Sequence, residues 1–268
     1  MTLLVGWLSV DQRSPASAYF ITDSRYSWGS ADKFDGGKKV FALKHNPDIF
    51  AYCGDVLFPI TILSLIEDFD NEGIMFLPTD SSDEKSKKVE NLLNYHMCGY
   101  PNPQNLKDTR IYHFMRTNQD FHLYAYFVLD EKWICEQQTL DKSSSNASVV
   151  AGSGKPEFSQ LYEERYQHGS TANTSRNIYQ CFIDALQQMN SPQCGGPPQL
   201  VGLYRGKYNG INFGIIFKER CYFRGTHVVD VDERHRLIRW YNEEFEICNP
   251  TTMKKEENAQ RQPNSNRQ

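Results

Sequence analysis

Threonine follows the initiator methionine, in the order Met1-Thr2-Leu3-Leu4-Val5-Gly6. Once Met1 is removed, Thr2 carries a side-chain hydroxyl and a free α-amine in one residue. The amine can take the hydroxyl proton, so nucleophile and general base arrive together. An α-amine titrates near about 7.7–8.0, close to the operating pH that a general base wants. The other reactive side chains are dispersed. The seven cysteines, at 53, 98, 135, 181, 194, 221 and 248, contain no C-x-x-C pair. That pattern points to reduced thiols in a cytoplasmic protein, mostly buried as small hydrophobes. The seven histidines show no H-x-x-x-H spacing, so neither a metal nor another cofactor is expected.

The bulk properties fit a soluble globular protein with polar segments. A chain of 268 residues can bury a core without disulfide or metal support. The formal charge of −4 gives no electrostatic case for nucleic acid. No apolar run approaches the roughly 20 residues of a membrane span, and the N-terminus lacks the pattern of a secretory signal.

The elements that must position Thr2 follow from apolar periodicity. Leu3 to Val10 and Ala18 to Thr22 read as a hairpin across the Gln12-Arg13-Ser14-Pro15 turn. Lys39 to Leu43 and Ile49 to Cys53 read as two more strands, with Gly29 and Gly36-Gly37 marking loops. Helices are expected over Val56 to Phe69 and Ser82 to Met97. Strands follow at Arg110 to Met115, Phe121 to Leu129, Trp133 to Gln138 and Asn146 to Ala151. Two further helices are expected at Pro156 to Gln167 and Thr174 to Met189, with Thr174-Ser175 as the cap. Strands return at Leu200 to Tyr204, Ile211 to Phe217 and Cys221 to Phe223; Leu237 to Ile247 suits either a strand or a short helix. This order predicts an α+β protein, a four-layer αββα sandwich of two antiparallel sheets with helix pairs outside. Residues 1–248 are expected to form a single domain, and 249–268, with few apolar residues, a disordered tail.

Thr22-Asp23-Ser24-Arg25, then Gly29, then Lys38-Lys39-Val40 resembles the proteasome β-subunit family of N-terminal nucleophile (Ntn) hydrolases, including the HslV-type bacterial peptidases. In that family the N-terminal threonine begins the first strand, an aspartate closes the second, and a lysine lies sixteen residues on. Asp23 and Lys39 are also sixteen apart. The hairpin before Asp23 looks about five residues longer than is usual, which a turn absorbs. The resemblance implies that Lys39, paired with Asp23, favours deprotonated states of Thr2 by proximity of positive charge. It also implies that Gly54, in Ala51-Tyr52-Cys53-Gly54-Asp55, gives its N–H to an oxyanion. Ser153, in Gly152-Ser153-Gly154, would support the threonine amine. One part departs: Ser191 stands where the family has an aspartate, Cys194 where it has a serine before Gly195-Gly196, and Asp184 comes too early on its helix.

The resemblance covers roughly residues 2 to 225. It implies an Ntn-hydrolase fold, a threonine-type peptidase cleaving peptide or amide bonds of a peptide or protein substrate, and a ring-like homo-oligomer. Whether an ATPase partner exists is unknown from the sequence. The missing aspartate leaves a catalytically inactive, proteasome-like scaffold subunit as one alternative; an amidase acting on a small metabolite is another.

Overall fold

A computed structural model of the chain describes residues 2–28, 32–168, 171–206 and 208–259. Its strands are β1 (Leu4–Val10), β2 (Pro15–Thr22), β3 (Tyr26–Trp28), β4 (Asp32–Phe34), β5 (Val40–Ala42) and β6 (Asp48–Cys53). Helices α1 (Leu57–Asn71) and α2 (Ser82–Met97) come next, then β7 (Arg110–Thr117), β8 (Asp120–Leu129), β9 (Lys132–Gln138) and β10 (Asn146–Ala151). Helices α3 (Lys155–Leu161) and α4 (Ser175–Gln188) precede β11 (Gln199–Tyr204), β12 (Ile211–Phe217), β13 (Arg220–Phe223), β14 (Thr226–His227), β15 (Trp240–Tyr241) and β16 (Ile247–Cys248).

Period-two alternation sorts the N-terminal hairpin between two cores. Val5 and Trp7 of β1, with Tyr19 and Ile21 of β2, join Phe182 and Ile178 of α4. Leu4 and Leu8, with Ala18 and Phe20, face Ile49 and Ala51 of β6 and Phe114 of β7. Phe50 and Tyr52, the alternate residues of β6, turn instead to Ile62 and Ile66 of α1 and Val89 of α2. The helix starts obey local chemistry. Ser81 and Glu84 form a capping box at α2, and Thr174 accepts Asn177 N–H at 3.2 Å to cap α4.

The expected four-layer αββα sandwich of two antiparallel sheets flanked by helix pairs is corrected. The chain is mostly sheet and 26% helical, in three sheets of nine, two and five strands. The larger sheet is not wholly antiparallel, because β15 runs parallel to β12. The third sheet pairs β3 with β4, in a stretch read as loop; Gly29 lies outside the described residues. The helix expected to reach Gln167 stops at Leu161 and widens into a π turn over Tyr162–Tyr166. There Gln167 N–H reaches back five residues to the Tyr162 carbonyl at 2.7 Å, and Tyr166 is buried. Between Leu237 and Ile247 the chain is neither a continuous strand nor a helix. Phe245, at φ 58°, turns it so that its ring stacks on Tyr241 at 4.6 Å. Beyond β16, Cys248 bridges to Lys255; of the segment read as a tail, 260–268 lie outside the described residues.

Beneath α2 lies a buried polar cluster. Asp48 opens β6 and accepts Lys85 Nζ at 2.6 Å, and its second oxygen sits 2.8 Å from His113 Nε2. Burial pulls the His113 pKa below the ordinary imidazole value, with the Asp48 carboxylate opposing. A histidine depressed in the folded state binds its proton more readily when unfolded. Its contribution to stability is therefore full above the unfolded pKa of about 6.5 and lost as pH falls below it. Urea unfolding should show a loss of about 1 kcal/mol between about pH 7.5 and 5.5, and His113→Gln should flatten that slope.

Candidate active site

The carboxylate of Asp23, at the residue after β2, gathers the N-terminal segment. Its Oδ1 accepts Leu3 N–H at 3.1 Å and Lys39 Nζ at 2.8 Å. Its Oδ2 accepts Gly195 N–H at 3.0 Å and Arg25 N–H at 3.2 Å. Asp23 N–H in turn donates to the Leu3 carbonyl at 3.2 Å. Both members of the ion pair are buried, with side-chain exposures of 1% for Lys39 and 0% for Asp23. A lysine on a solvated surface would show none of this; a buried pair holds its place only with its remaining polar atoms satisfied.

The Gly152-Ser153-Gly154 turn closes over the other side of Thr2, which is 1% exposed. Gly154 N–H donates to the Thr2 carbonyl at 3.2 Å. Gly152 holds φ at +87°, and a Cβ there would stand 2.0 Å from the Thr2 oxygen, so only glycine fits. Ser153 Oγ lies 3.2 Å from Cys194 Sγ. Burial, together with the Asp23 carboxylate, pushes the Cys194 thiol up to about 11, so it stays protonated at neutral pH. The Ser191 hydroxyl accepts Gln193 N–H at 3.1 Å, within its own loop.

Hydrogen bonds thus tie Thr2 (through Leu3), Asp23, Lys39, Ser153 and the 191–196 loop into one constellation. Gly54 is linked less directly. It follows β6, whose Tyr52 N–H donates to the Lys39 carbonyl at 3.3 Å. Its φ of +106° and a close approach to Asp108 and Thr109 demand glycine on backbone grounds alone. Its neighbour Cys53 is buried, which lifts the thiol to about 11. Met1 lies outside the described residues.

Sequence reasoning missed one supporting side chain, Gln199, and gave no role to another, Arg25. Gln199 donates Nε2 to the Asp23 carbonyl at 3.1 Å and to Gly37 O at 2.6 Å, while its Oε1 accepts Lys39 N–H at 3.1 Å. The signal was a lone amide opening an otherwise apolar strand. Arg25 grips both oxygens of Asp35, at 2.6 and 2.8 Å, and donates to the Ser191 and Cys194 carbonyls at 3.2 and 3.1 Å. It so pins the loop that carries Cys194, and its charge holds the Asp35 carboxyl below its ordinary value. Among the described residues no cluster of His, Cys, Asp and Glu could hold a metal ion, and no helix is long and apolar enough to cross a membrane.

Breaking this network should cost stability in an ordered way. Asp23→Ala strands a buried ammonium and should cost about 3–5 kcal/mol in urea unfolding. Gln199→Leu leaves one N–H and two carbonyls without their partner and should cost about 1–3 kcal/mol.

No protein-family model and no curated protein matches the chain. Solved structures do. The helical assembly of the Anbu complex from Pseudomonas aeruginosa aligns with a TM-score of 0.57 at 13% identity, over 87% of this chain and 90% of that one. An Anbu Gly-1 mutant from Hyphomicrobium sp. strain MC1 aligns with a TM-score of 0.53 at 12% identity, over 88% and 90%. Anbu proteins are proteasome-like and related to the HslV-type hydrolases; at this identity, what the chain shares with them is the fold.

Proposed function

We propose that the chain is a threonine-type N-terminal nucleophile hydrolase, a proteasome-like peptidase that cleaves peptide or amide bonds after Met1 is removed. The observation that carries this reading is the buried Lys39–Asp23 pair bonded to Leu3 N–H. It sets a fixed positive charge one residue from Thr2.

In the proposed reaction Thr2 Oγ attacks the substrate carbonyl while the Thr2 amine accepts its proton. The developing oxyanion is met by the Gly54 N–H. The amine then gives the proton to the leaving nitrogen, the C–N bond breaks, and an ester joins the acyl group to Thr2. Water attacks that ester and restores the hydroxyl. Lys39 lowers the proton affinity of the Thr2 groups through its charge, and Ser153 orients the amine. The fold likeness to Anbu structures supports this assignment, as does the turn of Gly152 and Gly154 around the Thr2 carbonyl.

A scaffold subunit that does not cut is the second reading. It is favoured by the Ser191 hydroxyl bonding within its own loop, where the resembled family has a carboxylate. On either reading we infer a cytoplasmic homo-oligomer. One structural neighbour is a helical assembly, and the described cysteines are all unpaired.

Intact-mass analysis should give the mass of the chain beginning at Thr2. A threonine-directed covalent inhibitor should add to that residue, and Thr2→Ala should lower peptide hydrolysis by about a thousandfold or more. Retained Met1, with no adduct, would establish the scaffold instead.

A further inference from the structure

A second polar site lies at the opposite end of β6 from Gly54. A cleft of about 660 Å³ opens between the β5–β6 turn, the end of β7 and the segment leading into α2. Arg116, Lys85, His45, Thr79, Asp80 and Asn118 are among its lining residues. The lysines here have carboxylate partners. Asp80 is matched by Lys88 at 2.5 Å. Asp48 is matched by Lys85, its other oxygen resting on His113, whose pKa burial lowers while Asp48 opposes. That leaves Arg116. It is 9% exposed, and among the described residues it forms no salt bridge.

Its guanidinium is held by carbonyls alone: Nη1 donates to Asn118 O and Nη2 to Tyr208 O, each at 2.8 Å. Its Nε is buried without a hydrogen-bond partner. Burial pulls the Arg116 pKa down, with Asp48 opposing. A buried guanidinium therefore stands in the wall of a polar cleft with no carboxylate in ion-pair contact, the nearby Asp70 being taken up by His45 N–H and Asn46 Nδ2. A buried charge is costly unless paired, and a planar guanidinium suits a planar or tetrahedral oxyanion. The N-terminus of α2, a 16-residue helix, borders the cleft through Ser81 and Ser82, although its capping box and the Asp83 and Glu84 charges in its first turn offset part of its field.

We propose that this cleft binds the phosphate or carboxylate group of a small soluble molecule, with Arg116 as its principal counter-charge and Lys85 as the second. The site is independent of the hydrolytic reading. It stands at the start of β6, whereas the Thr2 constellation meets the far end of that strand.

The test is thermal unfolding of the full chain at neutral pH and constant ionic strength, in rising sodium phosphate, sodium citrate or sodium chloride. The expected result is a saturable rise in Tm of about 5 °C in phosphate or citrate beyond that in chloride. General salting effects act on every variant alike, so the decisive reading is the difference between variants. Lys87→Gln, on the exposed face of α2, should keep the rise. Arg116→Gln should lose it. Thr79→Glu, which places a carboxylate at the exposed rim without touching a buried group, should lose it too and covers the case in which Arg116→Gln fails to fold. A rise in phosphate alone assigns a phosphate group, a rise in citrate alone a carboxylate, and a rise in both the shared oxyanion chemistry. No rise beyond chloride overturns the proposal, as does a rise that survives in Thr79→Glu.

Discussion

The carboxylate of Asp23 is the point on which the rest of this structure turns. Four donors converge on its two oxygens, from Leu3, Lys39, Arg25 and Gly195. They come from the start of β1, the residue before β5, the end of β2 and the loop after α4. A buried carboxylate loses hydration worth several kcal/mol and holds its charge only if that many donors replace the water. The requirement reaches across the fold, because each donor must arrive from a different segment. The hairpin, the second sheet and the 191–196 loop therefore cannot shift independently without exposing an unsatisfied charge. Gln199 extends the same lock to backbone, joining the peptide groups of Asp23, Lys39 and Gly37 with one amide.

Much of this was legible in the sequence, because it is written in local patterns. The hairpin strands alternate between two cores. The helices α2 and α4 start where Ser, Thr and Glu offer caps, and Asp23 and Lys39 are picked out by the resemblance of their motif and spacing to proteasome β-subunits. What stayed hidden depends on long-range satisfaction. Nothing local to Gln199 says that a strand-opening amide will meet a lysine N–H 160 positions away. The β3–β4 pair has three-residue strands that are mostly solvated, too short for a period to show. The C-terminal strands β14 to β16 are two residues each, and β15 is placed by a parallel pairing with β12 that no neighbouring residue encodes. The π turn after α3 is similar. Its extra residue is invisible in the run Tyr162-Glu163-Glu164-Arg165-Tyr166, and only burial of Tyr166 against α4 reveals it.

Among the described residues are two buried lysine–aspartate pairs, one at each end of β6, and they differ in a way that matters. Asp23 faces one cation and three backbone N–H groups, so its site is balanced and geometrically closed. Asp48 serves Lys85 and His113, while Arg116 nearby is served by carbonyls only. The first arrangement fixes an ammonium in place, which suits a group meant to act by its field on a neighbour. The second leaves a guanidinium without an ion-pair partner at a cleft, which suits recognition of something not part of the chain. The same residue types thus lead to different roles through the count of donors and acceptors around them.

The replacement of an expected serine by Cys194 bears directly on how the Thr2 amine could be oriented. A thiol is a weak donor and a weak acceptor, and Cys194, raised to about 11 by burial and by the Asp23 charge, stays protonated. Its hydrogen is free to point at Ser153 Oγ, 3.2 Å away. If the thiol donates, the serine hydroxyl proton is released to seek another acceptor, and an unprotonated Thr2 amine is the natural one in the proposed mechanism. If the serine donates to sulfur instead, that support is withdrawn. A serine at 194 would offer a stronger and less selective partner. In the proposed mechanism the cysteine therefore does not by itself disable the site: a poor acceptor leaves the Ser153 proton more available, and the orientation of the amine would then rest on Ser153, with Arg25 holding the loop behind it.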